Sequence, residues 1–160
     1  MSLSYKRVLL RFREMDGFVQ SLKEIPEAWW RMPIAEGKWS PAEIIAHLIE
    51  WDRFLLDGRL DQLKPGQAAP PVSVQVDGLN ARAARWAREE ASRQEVPDAF
   101  HHTRTRLLRR LETVPGPDRV EPFTIRGRSL TLTAYLEGLA DHEDHHRKQI
   151  EGHLRTRREG

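Results

Sequence analysis

The sequence predicts an all-α protein, a four-helix bundle with one long crossover connection. Three observations predict it. Apolar residues recur at spacings of three and four in four long stretches. Two of these stretches open on helix-capping patterns, and a polar, proline-rich stretch lies between the second and the third. With 160 residues, 39% hydrophobic and 31% charged, the chain suits one domain spanning 1–160 with a core of its own.

The first helix is expected from about Ser4 to Ile25, where Val8, Leu9, Phe12, Met15, Val19 and Leu22 form one apolar stripe. Pro26 closes it, and the connector from Glu27 to Lys38 carries Trp29 and Trp30, read as a lid over the core. The second helix has the clearest start. Ser40 is its N-cap, Pro41 its first residue and Glu43 completes a capping box. Ile44, Ile45, Leu48, Trp51 and Leu55 mark its apolar face, and an end is expected near Asp57-Gly58. From Asp61 to Asp77, with Pro65, Pro70 and Pro71, the composition is that of a crossover loop.

A short helix is expected over Asn80 to Glu90. The third long helix follows, opening either on a capping box at Ser92-Arg93-Gln94-Glu95 or at Pro97. It runs to about Thr113 with Phe100, Leu107, Leu108 and Leu111 inward, and Pro115-Gly116-Pro117 ends it. Glu121 to Arg128 reads as an extended segment or small hairpin. The last helix is expected from Leu132 to about Arg155, capped by Thr131 and followed by a basic tail. Its inward stripe would be Tyr135, Leu139, His142, His146, Ile150 and His153.

That stripe holds the chemistry. His142 and His146 are four apart, so a helix stacks them on one face, the spacing that offers two imidazoles to one metal ion. A third ligand must come from elsewhere, and His47 stands alone among apolar residues on the second helix. Three buried imidazoles without a common partner leave polar nitrogens unsatisfied, at about 1–3 kcal/mol each. One divalent ion satisfies all three. His145 points about 100° away from His146 and is assigned to the rim, while His101, His102 and His153 read as structural or solvated. Glu50, one turn beyond His47, is the carboxylate expected to orient an imidazole from behind. Three neutral ligands leave open positions, as catalytic sites do, and zinc, nickel, cobalt and iron all accept imidazole.

The chain contains no cysteine, which excludes disulfides, thiolate ligands and a cysteine nucleophile. No signal-peptide core and no run near the roughly 18–20 apolar residues of a membrane span are visible, so a cytoplasmic protein is expected.

The segments Trp39-Ser40-Pro41-Ala42-Glu43-Ile44-Ile45-Ala46-His47-Leu48, then Trp51, and Leu139 to Ile150 around His142 and His146 make the chain resemble the DinB/YfiT-like superfamily of four-helix-bundle metalloenzymes. The resemblance implies His47, His142 and His146 as ligands of one divalent metal, nickel or zinc before iron, cobalt or manganese, with water in the remaining positions. It also implies a low-molecular-weight-thiol S-transferase of the bacillithiol type, in which the metal presents the thiol as thiolate to an electrophile. The family is named for damage induction, which suggests a stress-response setting. Arg53, Arg126, Arg128 and His145 would then form a rim for substrate or an anionic thiol. A homodimer suits a small bundle of this kind.

Two other functions fit the same sequence. A metal-dependent hydrolase would use the same three histidines to activate water. A non-catalytic binding module would use a basic face built from Arg82, Arg85, Arg88, Arg93, Arg104, Arg106, Arg109 and Arg110. The acids Glu89, Glu90, Glu95 and Asp98 are interspersed with these arginines, so a nucleic-acid partner is not expected.

Overall fold

The computed structural model describes residues 2–72 and 76–160. Helices α1 (Ser2–Ser21), α3 (Pro41–Phe54), α6 (Glu95–Glu112) and α8 (Leu132–Glu159) form the bundle. Shorter helices decorate the connections: α2 (Glu27–Arg31), α4 (Leu60–Gln62), α5 (Val76–Arg85) and α7 (Gly116–Val120). Strands β1 (Phe123–Ile125) and β2 (Arg128–Leu130) pair as an antiparallel hairpin, turned by Arg126 and Gly127 at φ 52° and 75°.

Side-chain pairings fix the helix directions. Tyr5 donates to the Leu111 carbonyl and Gln20 to that of Pro97, so α1 and α6 are antiparallel. Arg11 pairs with Asp141 and Arg147 lies over Phe18, so α1 and α8 run in parallel. Asp52 meets Arg104 and Asp61 meets Arg110, so the α3 segment runs parallel to α6. The order is therefore up, down, down, up. Two consecutive parallel helices need a connection that returns the length of the bundle, which is why the crossover is long.

The expected elements are present, with local differences. The Ser40–Glu43 capping box forms, both bonds at 3.2 Å, and Thr131 caps α8 through Ala134 N at 3.1 Å. α3 continues past its expected end through a π-turn over Leu55–Arg59 into α4, losing helical geometry at Gly58. α5 begins earlier than expected and continues through a second π-turn, Trp86–Glu90. α6 opens at Glu95, at neither expected start. Its N-cap is Gln94, and the Ser92–Glu95 box contributes one bond, Ser92 N to Glu95 Oε1 at 3.2 Å. Pro97 lies in the first turn, where a missing N–H breaks no intrahelical bond. The expected basic tail is helical, since α8 runs to Glu159. Trp30 is fully buried beneath the connector, on the α2 turn. The crossover bonds to the hairpin at Ala68 and Thr124, and its residues 73–75 lie outside the described residues.

The apolar interior has two parts. One gathers Val19, Leu22, Trp30, Ile45, Phe100 and Ile150, the other Tyr5, Phe12, Leu60, Leu107, Phe123 and Leu136. At the waist sits a polar layer that the periodicity does not announce. Arg104 is fully buried and binds Asp52 with two bonds, Nε–Oδ2 2.8 Å and Nη2–Oδ1 2.9 Å. It also binds both oxygens of Glu143, Nη1–Oε1 at 3.0 Å, and the Phe12 carbonyl at 3.1 Å. The guanidinium lies over the rings of Phe12 and Phe100, with carbon to centroid distances of 4.8 and 4.6 Å. One residue thus ties α1, α3 and α8 to α6.

The expected inward stripe of α8 is corrected by this layer. Leu132, Thr133, Leu136, Ala140, Glu143, Ile150, His153 and Leu154 are the buried residues, while Tyr135, Leu139 and His146 are half-buried and His142 is exposed. The helix is rotated so that Glu143 reaches Arg104, which leaves the histidines along the edge that faces α3. The expected basic face is also broken up: Arg104 is internal, Arg88 binds Glu43, Arg93 binds the Leu22 and Ile25 carbonyls, and Arg110 binds Asp61.

Candidate metal centre

His47 projects from the middle of α3, and His142 and His146 project from α8 one turn apart. The two helices are antiparallel neighbours, and the imidazoles meet between them. One ligand nitrogen from each ring lies within 4.8 Å of the other two. The His142 and His146 Nε2 atoms are 3.2 Å apart, and the His47 ring centroid is 5.7 and 5.4 Å from theirs.

Hydrogen bonds fix the tautomers. His47 Nδ1 lies 2.8 Å from Asn80 Oδ1 on α5, and His146 Nδ1 lies 2.9 Å from Gln149 Oε1. An amide oxygen only accepts, so both Nδ1 atoms carry the proton and both Nε2 atoms present lone pairs. Burial pushes all three imidazoles below their ordinary pKa, His146 to about 4, so the cluster is neutral at pH 7. Neutral imidazole is the form that binds metal.

These residues fit a divalent ion. Nitrogens about 2.0–2.1 Å from one metal and about 90–110° apart are separated by about 2.9–3.4 Å, which brackets the Nε2 spacing found. Facing nitrogens at 3.2 Å need a proton or a cation between them. The donor set, three imidazoles and no carboxylate, suits zinc, nickel, copper, cobalt or iron over magnesium or calcium. Trp39 and Trp51 flank His47, their ring centroids at 5.2 and 6.2 Å, and make the wall apolar on that side.

The three expected ligands are thus brought together, and His145 stands at the rim, exposed, its ring 5.6 Å from that of His146. The expected role of Glu50 is corrected. Its carboxylate is held by Arg53 one turn on, Nη1–Oε1 2.7 Å, and the group behind His47 is Asn80. The same pair occupies Arg53 itself. Arg126 and Arg128 are exposed at the hairpin turn, and no described contact joins them to the histidines. The hairpin packs through Phe123 against Tyr135, about two turns before His142. Asn80, Gln149, Asp52, Arg104 and Glu143 are the residues of the site and its support that periodicity alone missed. For the last three a signal existed, since each charge interrupts the apolar stripe of its own helix.

Four-helix bundles build their sites from side chains on facing helices, and here three histidines meet between two of them. Residues 13–150 match the family model of the DinB superfamily, and the chain belongs to that superfamily. No curated protein matches it significantly in sequence. Among solved structures, YfiT from Bacillus subtilis superposes with a TM-score of 0.73 at 15% identity, over 95% of this chain and 86% of that one. YfiT is "a probable metal-dependent hydrolase with an unusual four-helix bundle topology". At that identity the likeness establishes the fold.

Proposed function

We propose that the protein is a divalent-metal-dependent hydrolase acting on a small electrophile, with His47, His142 and His146 holding the ion. The observation that carries this reading is the convergence of three neutral imidazoles, two with their lone pairs aimed by Nδ1 hydrogen bonds. The hydrolase description of YfiT supports it, and zinc or nickel is the favoured ion. When bound, such an ion supplies Lewis acidity, polarising a carbonyl or lowering the pKa of water toward neutrality.

The chain's own residues shape the rest. Trp39 and Trp51 exclude water from the His47 side. His142 and His145 are exposed, so substrate enters over the α8 edge. Arg104 holds α3 and α8 in register from beneath, through Asp52 and Glu143, so the imidazoles meet without rearrangement.

One observation favours thiol S-transfer as a second reading. No carboxylate among the described residues joins the histidine cluster, and Glu50 is engaged by Arg53. A hydrolase gains from a general base for water, whereas a thiol of bacillithiol type ionises more readily and needs less help. Arg53 is paired with Glu50, and Arg126 and Arg128 stand on the hairpin, which gives an anionic thiol less support, so this reading ranks second.

The test is turnover of an activated ester by zinc- or nickel-loaded protein, with and without added low-molecular-weight thiol, beside His146→Ala. Hydrolysis without thiol, lost in the variant, supports the hydrolase. Product only with thiol, carrying a new C–S bond, replaces it with the transferase. No turnover by wild type under either condition, together with no bound metal, overturns both.

A further inference from the structure

The groups behind His47 and His146 are side-chain amides, which carry no charge. Metal-binding histidines commonly donate their second N–H to a carboxylate, a backbone carbonyl or water. Here Asn80 and Gln149 take those places, at 2.8 and 2.9 Å. Carboxylates are not scarce nearby. Glu50 shares a helix with His47, and Glu143 and Asp144 lie between His142 and His146. Each of them is drawn elsewhere by a cation: Glu50 by Arg53 at 2.7 Å, Glu143 by Arg104, and Asp144 by Lys148 at 3.1 Å. The surroundings of the cluster are therefore kept neutral although acids are at hand.

We propose that Asn80 and Gln149 are positioning residues. They fix the Nδ1–H tautomers of His47 and His146, and because they are uncharged they leave a bound cation with its full electrophilicity. A carboxylate in either place would draw the Nδ1 proton toward itself, make the imidazole a stronger donor, and tighten the metal while blunting it. Asn80 comes from α5, inside the crossover, so the aim of His47 depends on that crossover helix being docked. This inference rests on the metal-site reading above, and its test is built so that the two can fail separately.

Two measurements decide it. The first is 15N-resolved NMR of the imidazoles in metal-free protein, wild type beside Asn80→Ala and Gln149→Ala. Nδ1–H tautomers at His47 and His146 are expected in wild type, each moving toward a mixture when its own amide is removed. The second is a competition titration of Zn(II) against a chromogenic chelator, with metal-free melting temperature as the control for folding. Asn80→Ala and Gln149→Ala should weaken zinc by about 10–100-fold, and Asn80→Asp and Gln149→Glu should tighten it.

Wild-type Nε2–H tautomers at these two rings would overturn the proposal whatever the metal does. So would acidic variants that weaken zinc as much as the alanine variants do, since that is the pattern of lost packing. Wild type that shows the Nδ1–H tautomers but takes up no zinc would sink the metal-site reading and leave the tautomer assignment standing.

Discussion

Replacing Arg104 with Met tests whether the polar layer holds the bundle together. Met keeps much of the length and can occupy the gap between Phe12 and Phe100, but it leaves Asp52 and Glu143 without a counter-charge, at 3% and 7% exposure. Breaking a buried ion pair from one side costs about 3–5 kcal/mol. Losing the cation over two rings adds about 0.5–1 kcal/mol for each, partly recovered by the thioether's own packing. A net loss of about 4 kcal/mol is expected, a large share of the roughly 5–15 kcal/mol that stabilises a domain. At about 2–4 °C per kcal/mol for a chain of this size, the melting temperature should fall by about 8–16 °C.

The pH dependence distinguishes this cause from a simple packing defect. In the wild-type protein burial already pushes Asp52 up to about 6 against the pull of Arg104, with Glu143 adding to the rise. Without the guanidinium its folded pKa rises further above the unfolded value near 4. A carboxyl whose folded pKa is raised stabilises below its unfolded pKa, and that stability is lost as pH rises. The gap between Arg104→Met and wild type should therefore be widest near pH 7 and narrow toward pH 5, followed by circular dichroism melts and urea midpoints. A loss under about 1 kcal/mol, or one equal at both pH values, would refute the reasoning. The triple replacement Asp52→Leu, Arg104→Met, Glu143→Leu should recover most of the stability, because it removes the buried charges with their partner.

Three further outcomes follow from the site and the helix starts. The histidines have folded pKa values below the ordinary 6.5, so the unfolded chain binds more protons between that value and the about 4 of His146. The histidines' contribution to metal-free stability should then be complete above pH 6.5 and be lost as pH falls toward 4, opposite in sign to that of Asp52. It is read as the difference between wild type and His146→Gln in melts across pH 4–8. Zinc at about 100 times its dissociation constant should stabilise wild type by about 2.7 kcal/mol, reversed by chelator and absent in His146→Ala, by thermal melts. Ser40→Ala should cost about 1 kcal/mol by urea unfolding, since it removes the cap from Glu43 N at 3.2 Å and loosens the acid that binds Arg88.

Much of this molecule is legible in its sequence. Ser40-Pro41-Ala42-Glu43 and Thr131 state local rules, a cap and a first turn, that neighbours seldom override, and both helices start where those rules put them. His47, His142 and His146 were legible because their positions on helix faces follow from spacing, and bundle helices of this length have few ways to meet. Arg104, Asp52 and Glu143 were harder. Each alone looks like a charge that will find solvent, and its burial makes sense only when the three are seen together across three helices. Glu50 does not stand behind His47, because a cation one turn away, Arg53, competes for it more effectively than an imidazole on the same helix. Asn80 had no local signal at all, since its partner lies on another helix and only the docking of the crossover brings them together.

That docking has a bearing on how the chain reaches its final form. His47 lies in the first third of the sequence, Asn80 at its middle and the remaining histidines near its end, so the centre is closed by some of the longest-range contacts in the fold. Contacts of that kind form late and slowly, because a large loop must close before any of them returns energy. α3 can assemble first with α5 and α6, whose contacts close over 33 and 52 residues, leaving α8 to complete the centre. A metal ion binding there would act as a clock on the final step, occupied only when every segment of the chain has arrived.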